Sequence, residues 1–249
     1  MNKYALSLLI LLCGNIANAQ WVVVQPIKPV TRAGSIGDIV SHLNNVSTYY
    51  DADIVTFAHE ATHGTNGEFR QRYGNRRNCL YVLSNNMAVI TEPPTTLSSV
   101  ARKVAPSLRG NGYQLYMVSQ GQYWENEPLY ILDEWTAYSN GAIVGLENNI
   151  GDRTQQSFGS SLEFFGYALT LLQTLNGSNY DSAPLKGFIT WNGARTTTTY
   201  LKMKAAGLIT DKHKRFYGTM QSSQDTASLR SFCIQCFGPS WAKENLGVK

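Results

Sequence analysis

The first half of the chain contains several short apolar runs, each about as long as a single strand. β-rich runs lie at 20–25, 79–83 and 87–91, and the turn-forming residues 84–86 separate the last two as in a hairpin. A further β-rich run at 113–118 predicts another strand. The pattern therefore predicts a small, mostly antiparallel sheet.

Apolar residues recur at spacings of three and four through most of the remaining chain, which is the helical pattern. A first helix is predicted over 35–50 with Ser35 as its N-cap, and a second begins near Asp51 or Asp53 and ends at Gly64. Further helices are predicted at 97–108, 128–148, 154–175, 197–206 and 225–232. The predicted fold class is therefore α+β and helix-rich.

The N-terminal residues have the features of a secretory signal peptide. Lys3 supplies a positive start, residues 4–13 are almost all apolar, and residues 17–19 form an A-x-A cleavage sequence. Lipidation at Cys13 is disfavoured because a bulky leucine precedes it. We therefore expect residues 1–19 to be a signal peptide and the product to be periplasmic or secreted.

The composition is that of one folded domain, and residues 20–249 have a length typical of a single domain. The chain is 43% hydrophobic and only 15% charged, so disorder is not expected. Its formal net charge of +4 is too small and too scattered to indicate nucleic acid binding. No stretch after the signal has the length and hydropathy of a membrane span.

Three cysteines follow the predicted signal, in a compartment that permits disulfides. Either Cys79 pairs with Cys233 or Cys236, or the two C-terminal cysteines pair with each other and Cys79 stays reduced. We favour the long-range bond to Cys79 as a structural staple. A zinc ribbon would need a second C-x-x-C pair.

The most informative pattern is His-Glu-x-x-His at residues 59–63. On a helix, residues four apart lie one above the other, so His59 and His63 can direct neutral imidazole nitrogens at one ion. Glu60 projects about 100° around the axis from His59, where it can take a proton from an attacking water. The alternative is two ordinary histidines and a surface charge. Three polar groups next to the apolar run 54–58 need partners, however, and a metal supplies them.

The segment 59–63 resembles the active-site helix of the zincin metallopeptidases. The metzincin branch has a histidine six residues after the second one, and Phe69 stands there. The gluzincin-like branch, with a glutamate ligand from a later helix, remains. This resemblance covers about 53–68 and, more loosely, 128–140. It implies a Zn²⁺ cofactor, a peptide or protein substrate and a zincin-like domain.

Glu134 is the best candidate for the third ligand. Ile131, Tyr138 and Gly141 share its helix face, so its carboxylate points into packed surroundings and must be paired or bind a metal. Gly141 and Gly145 on this stripe would let another helix approach closely. We expect that helix to be the one that bears the two histidines.

Other interpretations stay open. Glu68 and Glu163 are rival ligands, and Glu134 could instead form an ion pair with Arg70 or Arg72. The cluster of Arg70, Arg72, Arg76 and Arg77 could bind an acidic end of a substrate, although a solvated face is the simpler interpretation.

Tyr138 is the favoured donor to a transition-state oxygen, with core packing of its ring as the alternative. Asp133 and Asn140 could orient a ligand. Weaker candidates for the oxygen donor are Tyr123, Tyr200 and His213. His42 and His213 are single histidines, for which a structural role is favoured over ligation.

These observations predict a secreted zinc metallohydrolase, favoured as a metallopeptidase, in which His59, His63 and Glu134 hold the ion and Glu60 is the base. Two alternatives are a non-peptidase zinc hydrolase and a secreted binding protein that keeps the metal helix for structure alone. The word peptidase comes from the resemblance, because a fold likeness does not fix a substrate.

Overall fold

The computed structural model describes residues 20–46, 53–73 and 76–248, and the signal peptide predicted for 1–19 lies outside them. The strands are β1 (Gln20–Val23), β2 (Arg77–Tyr81) and β3 (Asn86–Thr91). The α-helices are α1 (Gly34–Val40), α2 (Ile54–Tyr73), α3 (Leu97–Lys103), α4 (Tyr130–Glu147), α5 (Gly151–Thr174), α6 (Ala183–Ala205), α7 (Asp211–Ser222), α8 (Ala227–Phe237) and α9 (Pro239–Leu246). The predicted helix-rich α+β fold with a small antiparallel sheet is confirmed.

The strands form one antiparallel sheet in the order β1-β3-β2. Between β2 and β3 the chain reverses through Leu83, Ser84 and Asn85, whose φ values are 72°, 54° and 58°. This left-handed turn is the connection between the two strands of the predicted hairpin, which is confirmed.

The sheet separates two hydrophobic cores. Successive side chains of a strand point to opposite faces. In β2, Cys79 and Tyr81 belong to the core beneath α1 and α2, whereas Leu80 belongs to the core built with α3 to α9. In β3, Met87 and Ala88 divide in the same way. Both faces are therefore buried, which explains why these strands read as continuous apolar runs.

Helix α2 runs past Gly64, where the sequence predicted its end, to Tyr73. Thr65, Asn66 and Phe69 in the added part are buried. Their packing outweighs the cost of a glycine inside a helix, which is about 1 kcal/mol.

Helices α2 and α4 pack closely, as the small residues of α4 predicted. A Cβ atom at Gly141 would lie 3.1 Å from the Val55 carbonyl oxygen. A Cβ atom at Gly145 would lie 2.9 Å from Val55 Cγ2 and 2.0 Å from Thr154 Oγ1. The two glycines therefore admit α2 on one side and α5 on the other.

The first helix and one strand differ from their predictions. Helix α1 ends at Val40, and its N-cap is Ala33; Ser35 instead donates its backbone N–H and its hydroxyl to Glu147, at 2.8 and 2.7 Å. The run at 113–118 is not a strand but a π-helix, Tyr113–Ser119. The segment packs against α3 rather than beside a strand, so tertiary contacts override its β propensity.

Cys79, Cys233 and Cys236 are all free. The predicted disulfide to Cys79 is therefore wrong, and the alternative bond between Cys233 and Cys236 is not formed either. Cys79 faces the core under α1 and α2, whereas Cys233 lies in the core on the other side of the sheet. The sheet itself therefore keeps these two thiols apart.

The helix predicted at 197–206 is the C-terminal half of a longer helix, α6. Within the described ranges, no helix combines the length with the apolar character that crossing a membrane requires.

Candidate metal centre

Helix α2 begins with a cap that fixes its first turn. The Asp53 carboxylate accepts the Val55 backbone N–H at 3.0 Å and the Thr56 hydroxyl at 2.9 Å, which satisfies a helix-terminal donor. His59 and His63 then follow on the helix face that meets α4. His59 is 8% exposed, so its imidazole is shielded from bulk water.

Three side chains of α2 and α4 converge on one point. The Nε2 atoms of His59 and His63 lie 3.1 Å apart. Glu134 Oε2 is 3.7 Å from His59 Nε2, and Glu134 Oε1 is 3.6 Å from His63 Nε2. The candidate ligand atoms lie within 4.8 Å of one another. Two ligands of a tetrahedral zinc ion stand roughly 3.3 Å apart, so this spacing fits such an ion closely.

The carboxylate of Glu134 has an unsatisfied oxygen that faces His59. Glu134 is 2% exposed, and its Oε1 accepts the Tyr130 hydroxyl at 2.5 Å. Its Oε2 is buried and finds no hydrogen-bond partner in the described part of the chain. The predicted alternative of an ion pair is not formed, because Arg70 contacts Glu127 and Arg72 lies over Phe69. A cation at this point would satisfy the orphaned oxygen.

A relay of hydrogen bonds holds His63 in one orientation. Asp133 Oδ2 lies 2.9 Å from His63 Nδ1, and Asp133 also accepts the side-chain amide of Asn66. Asn66 Oδ1 in turn accepts the backbone N–H of Tyr81 in β2 at 2.7 Å. With Nδ1–H donated to Asp133, the other ring nitrogen points at the centre, as in known metal-binding histidines. Asp133 therefore lies where it can orient the His63 ring, as its predicted role requires.

The two histidines differ in their proton affinity. Burial, together with the neighbouring His63, lowers the pKa of His59 to about 3, so His59 is neutral at pH 7. Burial would also lower the pKa of His63, but the carboxylates of Asp133 and Glu134 outweigh it and raise that pKa well above the usual value. These shifts favour the neutral form of His59 and the protonated form of His63.

Glu60 stands at the mouth of the centre. Its side chain is 52% exposed, and Oε1 lies 4.0 Å from His59 Nε2. It lines two cavities, one of about 430 Å³ that includes His63 and Glu134, and one of about 270 Å³ that includes Tyr138. The carboxylate is thus beside the ligand cluster and accessible from both cavities, as predicted for a base.

Tyr138 packs against the centre with a partner that the sequence did not reveal. Its ring centroid is 4.2 Å from that of His59, and its hydroxyl lies 2.7 Å from the Tyr116 hydroxyl. Tyr116 belongs to the π-helix and lines both cavities. Burial raises the pKa of Tyr138 to about 12 and also raises that of Tyr116. Both phenols are therefore protonated donors at neutral pH.

Tyr116 and Tyr130 are the site residues that sequence reasoning missed. Tyr116 lies in the segment that was predicted as a strand, where nothing indicated that it would face the histidines. Tyr130 precedes Glu134 by one helical turn, and this spacing of four was the available signal.

The rival ligands lie elsewhere. Glu163 contacts Lys212 Nζ at 2.8 Å and the Gly112 backbone N–H at 2.9 Å. Glu68 accepts the backbone N–H of Asn44 at 2.7 Å. Neither carboxylate belongs to the ligand cluster.

The remaining candidates also have other contacts. Asn140 bonds to Thr62, Arg195 and the Tyr81 carbonyl, Tyr123 is 73% exposed, and Tyr200 packs on Tyr217. His213 Nδ1 accepts the Thr210 N–H at the start of α7, and His42 lies 3.1 Å from Asn85 Oδ1. The two histidines thus have structural contacts of the kind expected.

Comparison with models of protein families, with curated proteins and with solved structures finds no match to this chain.

Proposed function

We propose that the protein is an exported zinc-dependent metallopeptidase. The observation that carries the proposal is the convergence of His59 Nε2, His63 Nε2 and the orphaned Oε2 of Glu134, with Glu60 beside them. Two imidazoles and one carboxylate are the ligand set of many catalytic zinc sites. Three protein ligands leave a fourth position open, whereas structural zinc sites are closed by four.

Zinc bound here would supply Lewis acidity and make a water molecule more acidic. The chain provides the remaining groups. Glu60 is half-exposed and faces both cavities, so it can accept the proton of an attacking water and return it to the leaving amine. The hydroxyls of Tyr116 and Tyr138 are hydrogen-bonded to each other, which leaves one proton of the pair to donate to the oxygen on which negative charge develops.

A peptide is the substrate favoured by the resemblance of the active-site helix and by the shape of the cleft. The cavities of about 430 and 270 Å³ both open beside Glu60, so an extended chain can occupy both with its scissile bond near the carboxylate. A non-peptidase zinc hydrolase would use the same groups. A binding protein with a purely structural zinc has no use for an exposed carboxylate beside the ion.

The decisive experiment combines metal analysis with a peptide library. We expect about one zinc per chain, cleavage of library peptides read by mass spectrometry, loss of cleavage with a chelator and its return with zinc. Glu60→Gln should keep the zinc and lose at least about a hundredfold in rate, the lower end of what a general base contributes. The exposed Glu244 on α9 provides the matched control, Glu244→Gln, which should behave as wild type.

Wild-type rates in Glu60→Gln would falsify the role of Glu60. Zinc binding without any cleavage would favour the binding-protein alternative. Cleavage of other bonds, such as esters, with intact peptides would favour the non-peptidase hydrolase.

A further inference from the structure

A third cavity, of about 570 Å³, adjoins the metal centre. Its lining includes Arg70, Arg76 and Arg77, and we call it the arginine cavity. Arg70 lines this cavity and also the cavity of about 430 Å³ that contains the ligands. The two spaces are therefore neighbours that share a wall, and one ligand can reach from the metal centre into the arginine cavity.

Arg70 reaches this wall because α2 continues beyond Gly64. It follows His63 by seven residues, which is nearly two full turns, so both side chains lie on one helix face, roughly 10 Å apart along the axis. Arg70 Nε is buried and unpaired among the described residues. Its Nη1 is 3.4 Å from Oε2 of Glu127, whose side chain is 52% exposed. Such a long and solvated ion pair stabilises little.

The other charges of the cavity leave it positive. Arg76 and Arg77 are exposed, and no ion pair with either is formed in the described ranges. Glu92 is already engaged, because Oε1 accepts the Leu129 N–H at 2.8 Å and Oε2 accepts the Asn78 side-chain amide. Burial also raises the pKa of Glu92 to about 7, so it is only partly ionised at neutral pH. Three guanidinium groups thus face little compensating charge.

We propose that the arginine cavity is a subsite for a carboxylate of the peptide substrate, with Arg70 as its principal contact. The inference rests on the proposed peptidase function and adds a specificity to it. Guanidinium groups bind carboxylates through paired, charge-assisted hydrogen bonds. An extended peptide advances about 3.3 Å per residue, so roughly 10 Å places the carboxylate about three residues from the cleaved bond. An aspartate or glutamate side chain or the C-terminal carboxylate can supply it.

The test starts from the peptide that the library shows to be cleaved fastest. Three synthetic versions are compared: the parent, a version with its acidic side chain changed to the amide, and a version with an amidated C-terminus. With the wild-type enzyme, one of the two changes should lower kcat/KM by about tenfold to a hundredfold, the value of a hydrogen bond between charged groups. Which change does so identifies the source of the carboxylate.

The same peptides are then given to Arg70→Gln, Arg77→Gln and Arg72→Gln. Arg70→Gln should cleave the acidic and amide versions within about twofold of each other, because the charged partner is gone. Arg77→Gln should reduce the discrimination partly. Arg72 lies over the Phe69 ring and does not line the cavity, so Arg72→Gln is the matched control and should discriminate as wild type does. Zinc content measured in each variant shows that the centre is intact.

The outcomes separate the subsite from the function. If the wild-type enzyme cleaves peptides without preferring a carboxylate, or if Arg70→Gln keeps the preference while Arg77→Gln leaves it unchanged, the subsite is overturned and the peptidase stands. If zinc-loaded wild-type protein cleaves no peptide at all, the peptidase function fails and the subsite fails with it.

Discussion

This protein buries two carboxylates, Glu134 on α4 and Glu163 on α5, and the two have different interaction partners. Both lie on long apolar helices, and they are 2% and 8% exposed. Glu163 receives the ammonium of Lys212 at 2.8 Å and the Gly112 N–H at 2.9 Å. Glu134 Oε1 accepts the neutral Tyr130 hydroxyl and lies 3.6 Å from His63 Nε2, whereas Oε2 lies 3.7 Å from His59 Nε2.

Glu163 therefore has a permanent positive partner in the protein, whereas the positive partner of Glu134 can be exchanged. A buried carboxylate needs a positive charge nearby. For Glu163 this charge is the ammonium of Lys212, which is a covalent part of the chain. At Glu134 the neighbouring group that can carry a positive charge is His63, whose Nε2 lies 3.6 Å from Oε1 and whose pKa the carboxylates of Asp133 and Glu134 raise. A proton on an imidazole can be replaced by a metal ion, because both compete for the same nitrogen. Four predictions test this contrast.

The largest effect is expected for Glu134→Gln. Loss of a charged ligand should weaken zinc binding by more than about a hundredfold, beyond the 10- to 100-fold typical of losing a residue that only orients a ligand. Competition with a chromophoric chelator measures the affinity. Glu163→Gln is the matched variant and should bind zinc as wild type does. Equal affinities in the two variants would remove Glu134 from the ligand set.

Asp133→Asn should weaken zinc binding by about 10- to 100-fold. The amide oxygen can still accept the His63 Nδ1–H, but the negative charge that supports the imidazole is lost. The same titration measures the change, with the exposed Asp152→Asn on α5 as control. An affinity unchanged from wild type would mean that Asp133 serves packing alone.

Lys212→Met tests the other side of the contrast. Removing the ammonium leaves Glu163 buried without a counter-charge, and breaking buried pairs costs several kcal/mol. The Lys212 side chain is 50% exposed, so solvent reduces the loss to about 1–2 kcal/mol. Urea unfolding measures it, and the double variant with Glu163→Gln should recover part of the loss. Zinc affinity should stay unchanged, and a fall there would mean that the two sites are coupled.

The smallest effect expected is a loss of folding stability at acidic pH. Burial lowers the pKa of His213, which lies beside Lys212 on α7, below 6.5. The unfolded chain then binds a proton that the folded one excludes, so stability is full above about pH 6.5 and falls as the pH drops below it. Urea unfolding of zinc-free protein from pH 7 to 5 should show this decline, with a shallower slope in His213→Gln. Identical slopes would contradict the assignment.

The sequence determined the centre better than its surroundings. Spacing alone placed His59, Glu60 and His63 on one helix, and the apolar face around Glu134 predicted its burial. The place of Tyr116 in the site was not predicted, because residues with high β propensity also fit a π-helix once α3 covers them. Arg70 was named as a possible contact for an acidic end of a substrate, but its place on the histidine helix was not predicted, because Gly64 was taken as the end of α2, although buried residues beyond it sustain the helix. The disulfide prediction failed because cysteine spacing does not reveal which face of a sheet each thiol occupies.

The relay from the Tyr81 N–H through Asn66 and Asp133 to His63 joins three segments that are distant in sequence. The ligand geometry is complete only when β2, α2 and α4 are docked together. Under the proposed assignment, occupancy by the ion is therefore thermodynamically linked to that docking. Each tenfold excess of free zinc over its dissociation constant would add about 1.4 kcal/mol to the free energy of unfolding. Zinc depletion would consequently lower the resistance of the folded protein to proteolysis as well as its activity.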